Sequence, residues 1–151
     1  MSMLLTLSPD SDSTSPRPDR NSRISPLRRR MLIVEDEDGV LKPLEMRFRK
    51  AGFHVTSVRD GLQAIEEIRR KNADMIILDL VLPKLSGEEV CKAVREDSDE
   101  AIASIPIIML TGKDTVADRI VGKVLGANAY ITKPFDFDVL LDKVLELSSA
   151  A

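Results

Sequence analysis

Met75-Ile76-Ile77-Leu78-Asp79 is an uninterrupted apolar run closed by a carboxylate, with the turn residues Pro83 and Gly87 following it. A short run that is apolar at every position, not at alternate ones, suits a strand buried on both faces, as in a parallel sheet. Three more runs have this character: Met31-Leu32-Ile33-Val34, Ile105-Pro106-Ile107-Ile108-Met109-Leu110 and Ala129-Tyr130-Ile131-Thr132. Phe53-His54-Val55-Thr56-Ser57-Val58 is a weaker fifth.

The stretches between these runs carry helical spacing. Val40, Leu44, Phe48 and Ala51 recur every three or four residues, as do Leu62, Ile65 and Ile68, then Val90, Ala93 and Val94. Val116, Ile120, Val124 and Leu125 form a fourth set, and Val139, Leu140, Val144 and Leu147 a fifth. Asp60 with Gln63, and Ser86 with Glu89, are placed as capping boxes or weaker versions of them. Gly52 and Gly126 sit where helices should stop. The chain therefore reads as β-α five times over, an α/β domain with a parallel sheet and helices on both faces.

In such sheets ligands bind beyond the carboxyl ends of the strands. The first strand ends in Glu35-Asp36-Glu37-Asp38, the third in Asp79, the fourth in Thr111-Gly112 and the fifth in Lys133-Pro134. Crowded carboxylates repel one another and need a countercharge. With one cysteine, Cys91, and one histidine, His54, a disulfide within the chain is excluded, and Cys- or His-rich metal sites are effectively excluded. Oxygen ligands remain, which suit Mg²⁺, Mn²⁺ or Ca²⁺. Mg²⁺ commonly binds one or two carboxylates together with waters and a phosphate oxygen. A carboxylate can act as a nucleophile toward phosphorus, a lysine can meet a phosphoryl oxygen, and a threonine hydroxyl can bond it.

Met31-Leu-Ile-Val-Glu-Asp-Glu-Asp38, Ile77-Leu-Asp-Leu-Val-Leu-Pro-Lys-Leu-Ser-Gly87, Ile105-Pro-Ile-Ile-Met-Leu-Thr-Gly112 and Leu125-Gly-Ala-Asn-Ala-Tyr-Ile-Thr-Lys-Pro-Phe135 resemble, in order and at normal spacing, the receiver domain of two-component response regulators. The resemblance implies a flavodoxin-like, doubly wound (βα)5 fold with strand order 2-1-3-4-5. It implies Asp79 as phosphoacceptor, and Mg²⁺ (or Mn²⁺) bound by Asp36, Asp79 and the backbone carbonyl of Val81. Glu35 would act through a metal-bound water, Lys133 would pair with the phosphoryl oxygens, and Thr111 would bond the phosphoryl group. Thr111 and Tyr130 would be the switch residues, and Lys133-Pro134 a cis peptide. A sensor histidine kinase or a histidine phosphotransfer protein would donate the phosphoryl group, docking near Val40, Pro43, Leu44 and Phe135. The output would pass to a downstream protein through the face made by the fourth helix, fifth strand and fifth helix of the alternation (α4-β5-α5). A homodimer through that face is a further option. The expected role is a signalling switch that catalyses its own phosphotransfer and dephosphorylation, not an enzyme with a separate substrate.

Plainer readings stand beside these. Thr111 could cap a helix beginning near Asp114, Tyr130 could be a static half-buried ring, and Glu37 and Asp38 could be solvated. His54 is assigned to sheet packing or the surface, and Cys91 to the interior of the third helix. Val81 offers incoming water no side-chain help, and Lys113 places a long cation two residues after Thr111; both bear on phosphate lifetime in an unassigned direction.

The 151 residues suit one domain; 43% are hydrophobic, 31% charged and only 3% aromatic, so the core must be aliphatic. Residues 1–30, with six arginines and three aspartates, carry +3 against −6 for the remainder. Their Ser, Pro and Arg content suits a disordered or loosely attached basic tail, ahead of a receiver at 31–148 and an end at 149–151. Arg28-Arg29-Arg30 without aromatic neighbours is weak as a nucleic-acid arm. No run spans a bilayer and no secretory signal is evident, so the expected site of action is cytoplasmic, with no membrane or nucleic-acid partner for this domain. Two rival readings are a non-phosphorylated binding platform and a receiver fragment of a longer DNA-binding regulator. A third, a flavodoxin-like cofactor module or small phosphatase on the same fold, lacks a GxxxxGK[ST] loop.

Overall fold

A computed structural model describes residues 29–112 and 126–149. The predicted fourth helix, Asp114, Lys113 and the tail up to residue 28 lie outside the described residues. The strands are β1 (Arg30–Val34), β2 (His54–Val58), β3 (Met75–Asp79), β4 (Ile107–Thr111) and β5 (Ala129–Thr132). The helices are α1 (Asp38–Lys50), α2 (Gly61–Arg69), α3 (Gly87–Arg95), the single turn α4 (Glu100–Ala103) and α5 (Phe137–Ser149). All strand pairs are parallel, in the order β2-β1-β3-β4-β5.

The apolar runs are strands because both of their faces are covered. Met31 and Ile33, Met75 and Ile77, and Ile108 and Leu110 point to one face, where Leu41, Leu44 and Phe48 of α1 and Leu140, Leu141, Val144 and Leu145 of α5 cover them. Leu32 and Val34, Ile76 and Leu78, and Ile107 and Met109 point to the other, against Ala64 and Ile68 of α2 and Val90, Cys91 and Val94 of α3. The period-two alternation of a strand thus divides one apolar run between two cores. Phe48 meets Phe53 edge-on, ring centroids 5.6 Å apart, one of the few aromatic contacts in an aliphatic interior.

Helix starts follow local chemistry. Asp60 accepts from the Gln63 amide at 2.9 Å. Ser86 and Glu89 close a reciprocal capping box at 3.2 and 3.0 Å. Gly52 and Gly126 have φ of +103° and +92°, the left-handed region that glycine enters most easily.

Several boundaries differ from the sequence reading. Arg30, assigned above to the tail, opens β1, where its guanidinium is held by both carboxylate oxygens of Asp74 at 2.8 and 2.9 Å and by the Lys71 carbonyl at 2.9 Å. β4 starts at Ile107, two residues late, because Pro106 has no amide to give a ladder. α4 was not anticipated; one turn has too few residues to show a period. α5 runs through Ser149, one residue past the expected domain end.

Arg95, which no sequence pattern singled out, ties this end of the sheet together. Its guanidinium donates to the carbonyls of Gly126, Ala103 and Ile105 at 2.8–2.9 Å and to Asn128 Oδ1 at 2.8 Å. Asn128 Oδ1 also accepts from the Ile107 amide. Removing the guanidinium takes the donor away from three part-buried carbonyls at once. Arg95→Ala should cost about 2–4 kcal/mol in urea unfolding. Arg95→Lys should recover less than half of that, since an ammonium lacks the planar fork.

Candidate functional site

The register of β1 on β3 pairs Val34 with Leu78, so Glu35 and Asp79, each one residue further on, emerge side by side at the carboxyl edge. Glu35 is fully buried and its amide donates to the Val58 carbonyl at 3.1 Å. Asp79 is 5% exposed, and its Oδ1 accepts from the Val81 amide at 3.3 Å. Asp36 is exposed. One carboxylate oxygen from each of Glu35, Asp36 and Asp79 lies within 4.8 Å of the others.

Lys133 enters from the opposite side. It follows β5 directly, and its amide donates to the Thr111 carbonyl at 2.6 Å. Its Nζ lies 3.0 Å from Glu35 Oε1, 3.3 Å from Asp79 Oδ2 and 3.7 Å from Glu37 Oε1. The contact to Asp79 has hydrogen-bond geometry. The Glu35 Oε1 contact has ion-pair distance without that alignment, which leaves a buried carboxylate oxygen poorly satisfied. Lys133–Pro134 is cis, as the resemblance implied.

One lysine facing this many carboxylates leaves the site with excess negative charge. Burial pushes the Glu35 carboxyl up to about 7; Lys133 pulls it down and the Asp79 charge adds to the rise. Burial works against the charge on Lys133, but Glu35 and Asp79 outweigh it and raise its pKa, so the lysine stays cationic at neutral pH. A hard divalent cation fits this donor set: three carboxylates converge, two of them buried, Glu35 has one oxygen without a hydrogen bond, and no histidine or cysteine joins the cluster among the described residues.

Thr111 ends β4, 1% exposed, one residue past the Leu110 that pairs with Asp79. Tyr130 lies mid-strand in β5, half-buried against the α2–α3 core and away from the carboxyl edge. Val81 is 72% exposed on the loop after β3. Of the residues read as plain, His54 is exposed and Cys91 is buried on α3. Glu37 is largely solvated yet reaches Lys133, and Asp38 pairs with Arg59. Val40, Pro43, Leu44 and Phe135 come together with Lys133 and Pro134 in an open groove of about 520 Å³ between α1 and the start of α5. Arg47 stacks over the Phe137 ring at its rim, 5.1 Å from the centroid.

A family model described as the response regulator receiver domain matches residues 31–145. The sensory transduction protein RegX3 of Mycolicibacterium smegmatis is 44% identical over 114 residues, 76% of this chain and 48% of the relative. This chain thus spans about half the length of that relative. A putative response regulator of Chloroflexus aurantiacus superposes with a TM-score of 0.75 at 34% identity, over 81% of this chain and 98% of the other. The receiver domain of the Pseudomonas aeruginosa sensor histidine kinase PA1611, solved with magnesium in its active-site cleft, gives a TM-score of 0.72 at 31% identity, over 82% and 99% of the two chains.

Glu35 generates a pH dependence of definite sign. Its folded pKa lies above the unfolded value of 4.5, so between about pH 4.5 and 7 the folded state holds more protons, and stability falls as pH rises. Without divalent metal, unfolding free energy should drop by roughly 2–3 kcal/mol between about pH 5 and about pH 8 from this group. Glu35→Gln should flatten the drop. Urea unfolding of both proteins in chelator at the two pH values measures it; equal slopes would contradict it.

Proposed function

This chain belongs to the response regulator receiver family, and from that membership we propose that it is a phosphorylation switch whose acceptor is Asp79. The observation that carries the reading is the convergence of Glu35, Asp36 and Asp79 within 4.8 Å, with Lys133 Nζ 3.3 Å from Asp79. A carboxylate oxygen of Asp79 attacks phosphorus, the new P–O bond forms, and the bond from phosphorus to the donor's imidazole nitrogen breaks, leaving a neutral donor once the ring takes a proton. Lys133 meets the charge on the phosphoryl oxygens and Thr111 bonds one of them. Asp36, Asp79 and the Val81 carbonyl would hold Mg²⁺ (or Mn²⁺), with Glu35 acting through a coordinated water. The ion supplies charge neutralisation for the phosphoryl oxygens.

The donor is a sensor histidine kinase or a histidine phosphotransfer protein, seated on the groove lined by Val40, Pro43, Leu44 and Phe135. Phosphorylation then biases a two-state equilibrium through Thr111 and Tyr130, altering the face to which β5 and α5 contribute and so the binding of a downstream protein or a second copy of the chain. The role is a cytoplasmic switch and not a turnover enzyme. Among the described residues no helix is long and apolar enough to cross a membrane. The match covers less than half of the length of these relatives, which favours a second reading, in which the chain is the receiver part of a longer regulator of transcription.

Intact mass after incubation with acetyl phosphate tests the switch. A phosphoryl adduct should appear with Mg²⁺, disappear with chelator and be absent in Asp79→Asn. An unlabelled wild type that also fails to bind beryllofluoride would leave a protein-binding platform in its place.

A further inference from the structure

The loop of residues 80–87, which leads from the acceptor to α3, is held by backbone approaches too close for any side chain. A Cβ added to Gly87 would sit 2.1 Å from the carbonyl oxygen of Asp79 and 2.8 Å from Leu80 Cα. One added to Gly61, the first residue of α2, would sit 2.1 Å from the Leu85 carbonyl oxygen and 2.6 Å from Leu85 Cβ. The Gly61 amide donates to the Pro83 carbonyl at 3.3 Å, and the Leu85 amide donates to the same carbonyl at 2.7 Å. Beside Gly61, Asp60 is 7% exposed; one oxygen caps α2 and the other lies 3.5 Å from Lys84 Nζ. Lys84 itself has φ +69°, a conformation that an unbranched side chain tolerates only at a cost. α2 thus grips the middle of the loop through backbone contact and one ion pair, while Gly87 anchors the loop's end on the acceptor residue.

We propose that Asp60 and Gly61 are positioning residues for the phosphoryl and metal site, acting by seating loop 80–87 so that the Val81 amide and carbonyl stand correctly beside Asp79. The proposal rests on the phosphoacceptor reading of Asp79. Neither residue touches the reacting atoms. Their effect passes through Pro83, Lys84 and Leu85 to Val81, whose amide already bonds Asp79 Oδ1. A displacement of about 1 Å at such a support is enough to cost up to a hundredfold at a reacting centre.

Gly61→Ala is the direct test, with Ile68→Val, a small core loss on the same helix, as the control for stability alone. Three readouts apply: backbone amide shifts of residues 80–87 in metal-free protein, Mg²⁺ affinity from those shifts, and the rate of labelling by acetyl phosphate. Gly61→Ala should move the loop amides before any metal is added, weaken Mg²⁺ binding roughly tenfold and slow labelling at least as much. Ile68→Val should leave all three unchanged. The double variant Asp60→Asn/Lys84→Gln keeps net charge constant, removes the ion pair and serves if Gly61→Ala does not fold; its Mg²⁺ affinity should fall about two- to threefold. Unmoved loop amides in folded Gly61→Ala, or an unchanged affinity in the double variant, overturns the proposal. A wild type that neither responds to Mg²⁺ nor takes a phosphoryl group overturns the phosphoacceptor reading, and the positioning role with it.

Discussion

Carboxylates that share a small space repel one another, and the protein places Glu35, Asp36 and Asp79 within 4.8 Å while excluding water from two of them. The rest of the molecule is arranged around that unfavourable contact. Lys133 offsets part of it, but one ammonium cannot satisfy three acidic groups, and the buried Glu35 responds by holding its proton up to about pH 7. A hard divalent cation is the kind of group that would complete the charge balance of such an oxygen-donor cluster.

Such a site survives only on a rigid support. Parallel strands buried on both faces place consecutive strand ends side by side, and a register slip of one residue would move Glu35 away from Asp79 and into the sheet. The two cores that fix the register are made from alternate residues of the same runs, so the apolar content that builds the sheet also aims the carboxylates. Arg95 secures the connection into the start of β5, at the edge of the sheet opposite the carboxylates.

Most of this was legible in the amino-acid order. Runs apolar at every position indicated a parallel sheet, and the polar residue after each run marked the edge where chemistry would gather. Pattern reading failed where a residue's partner is distant in the chain. Arg30 looked like part of a basic tail because its partner, Asp74, lies 44 residues away. Arg95 carries no pattern that marks it, because its four acceptors lie in two connections, at residues 103–105 and 126–128, that only folding brings to it. Glycines at the first positions of α2 and α3 did offer a clue. Glycine is a poor helix former, so finding Gly61 and Gly87 there hints that a side chain would collide with something.

If the carboxylate cluster is an electrostatic burden on the fold, a bound divalent cation should relieve it. Thermal unfolding at pH 8, in saturating MgCl₂ and in chelator with NaCl added to equal ionic strength, tests it most directly. Mg²⁺ should raise the Tm of the wild type by about 5 °C, and that of Asp36→Asn much less. A Tm indifferent to Mg²⁺, or an equal rise in Asp36→Asn, would contradict it.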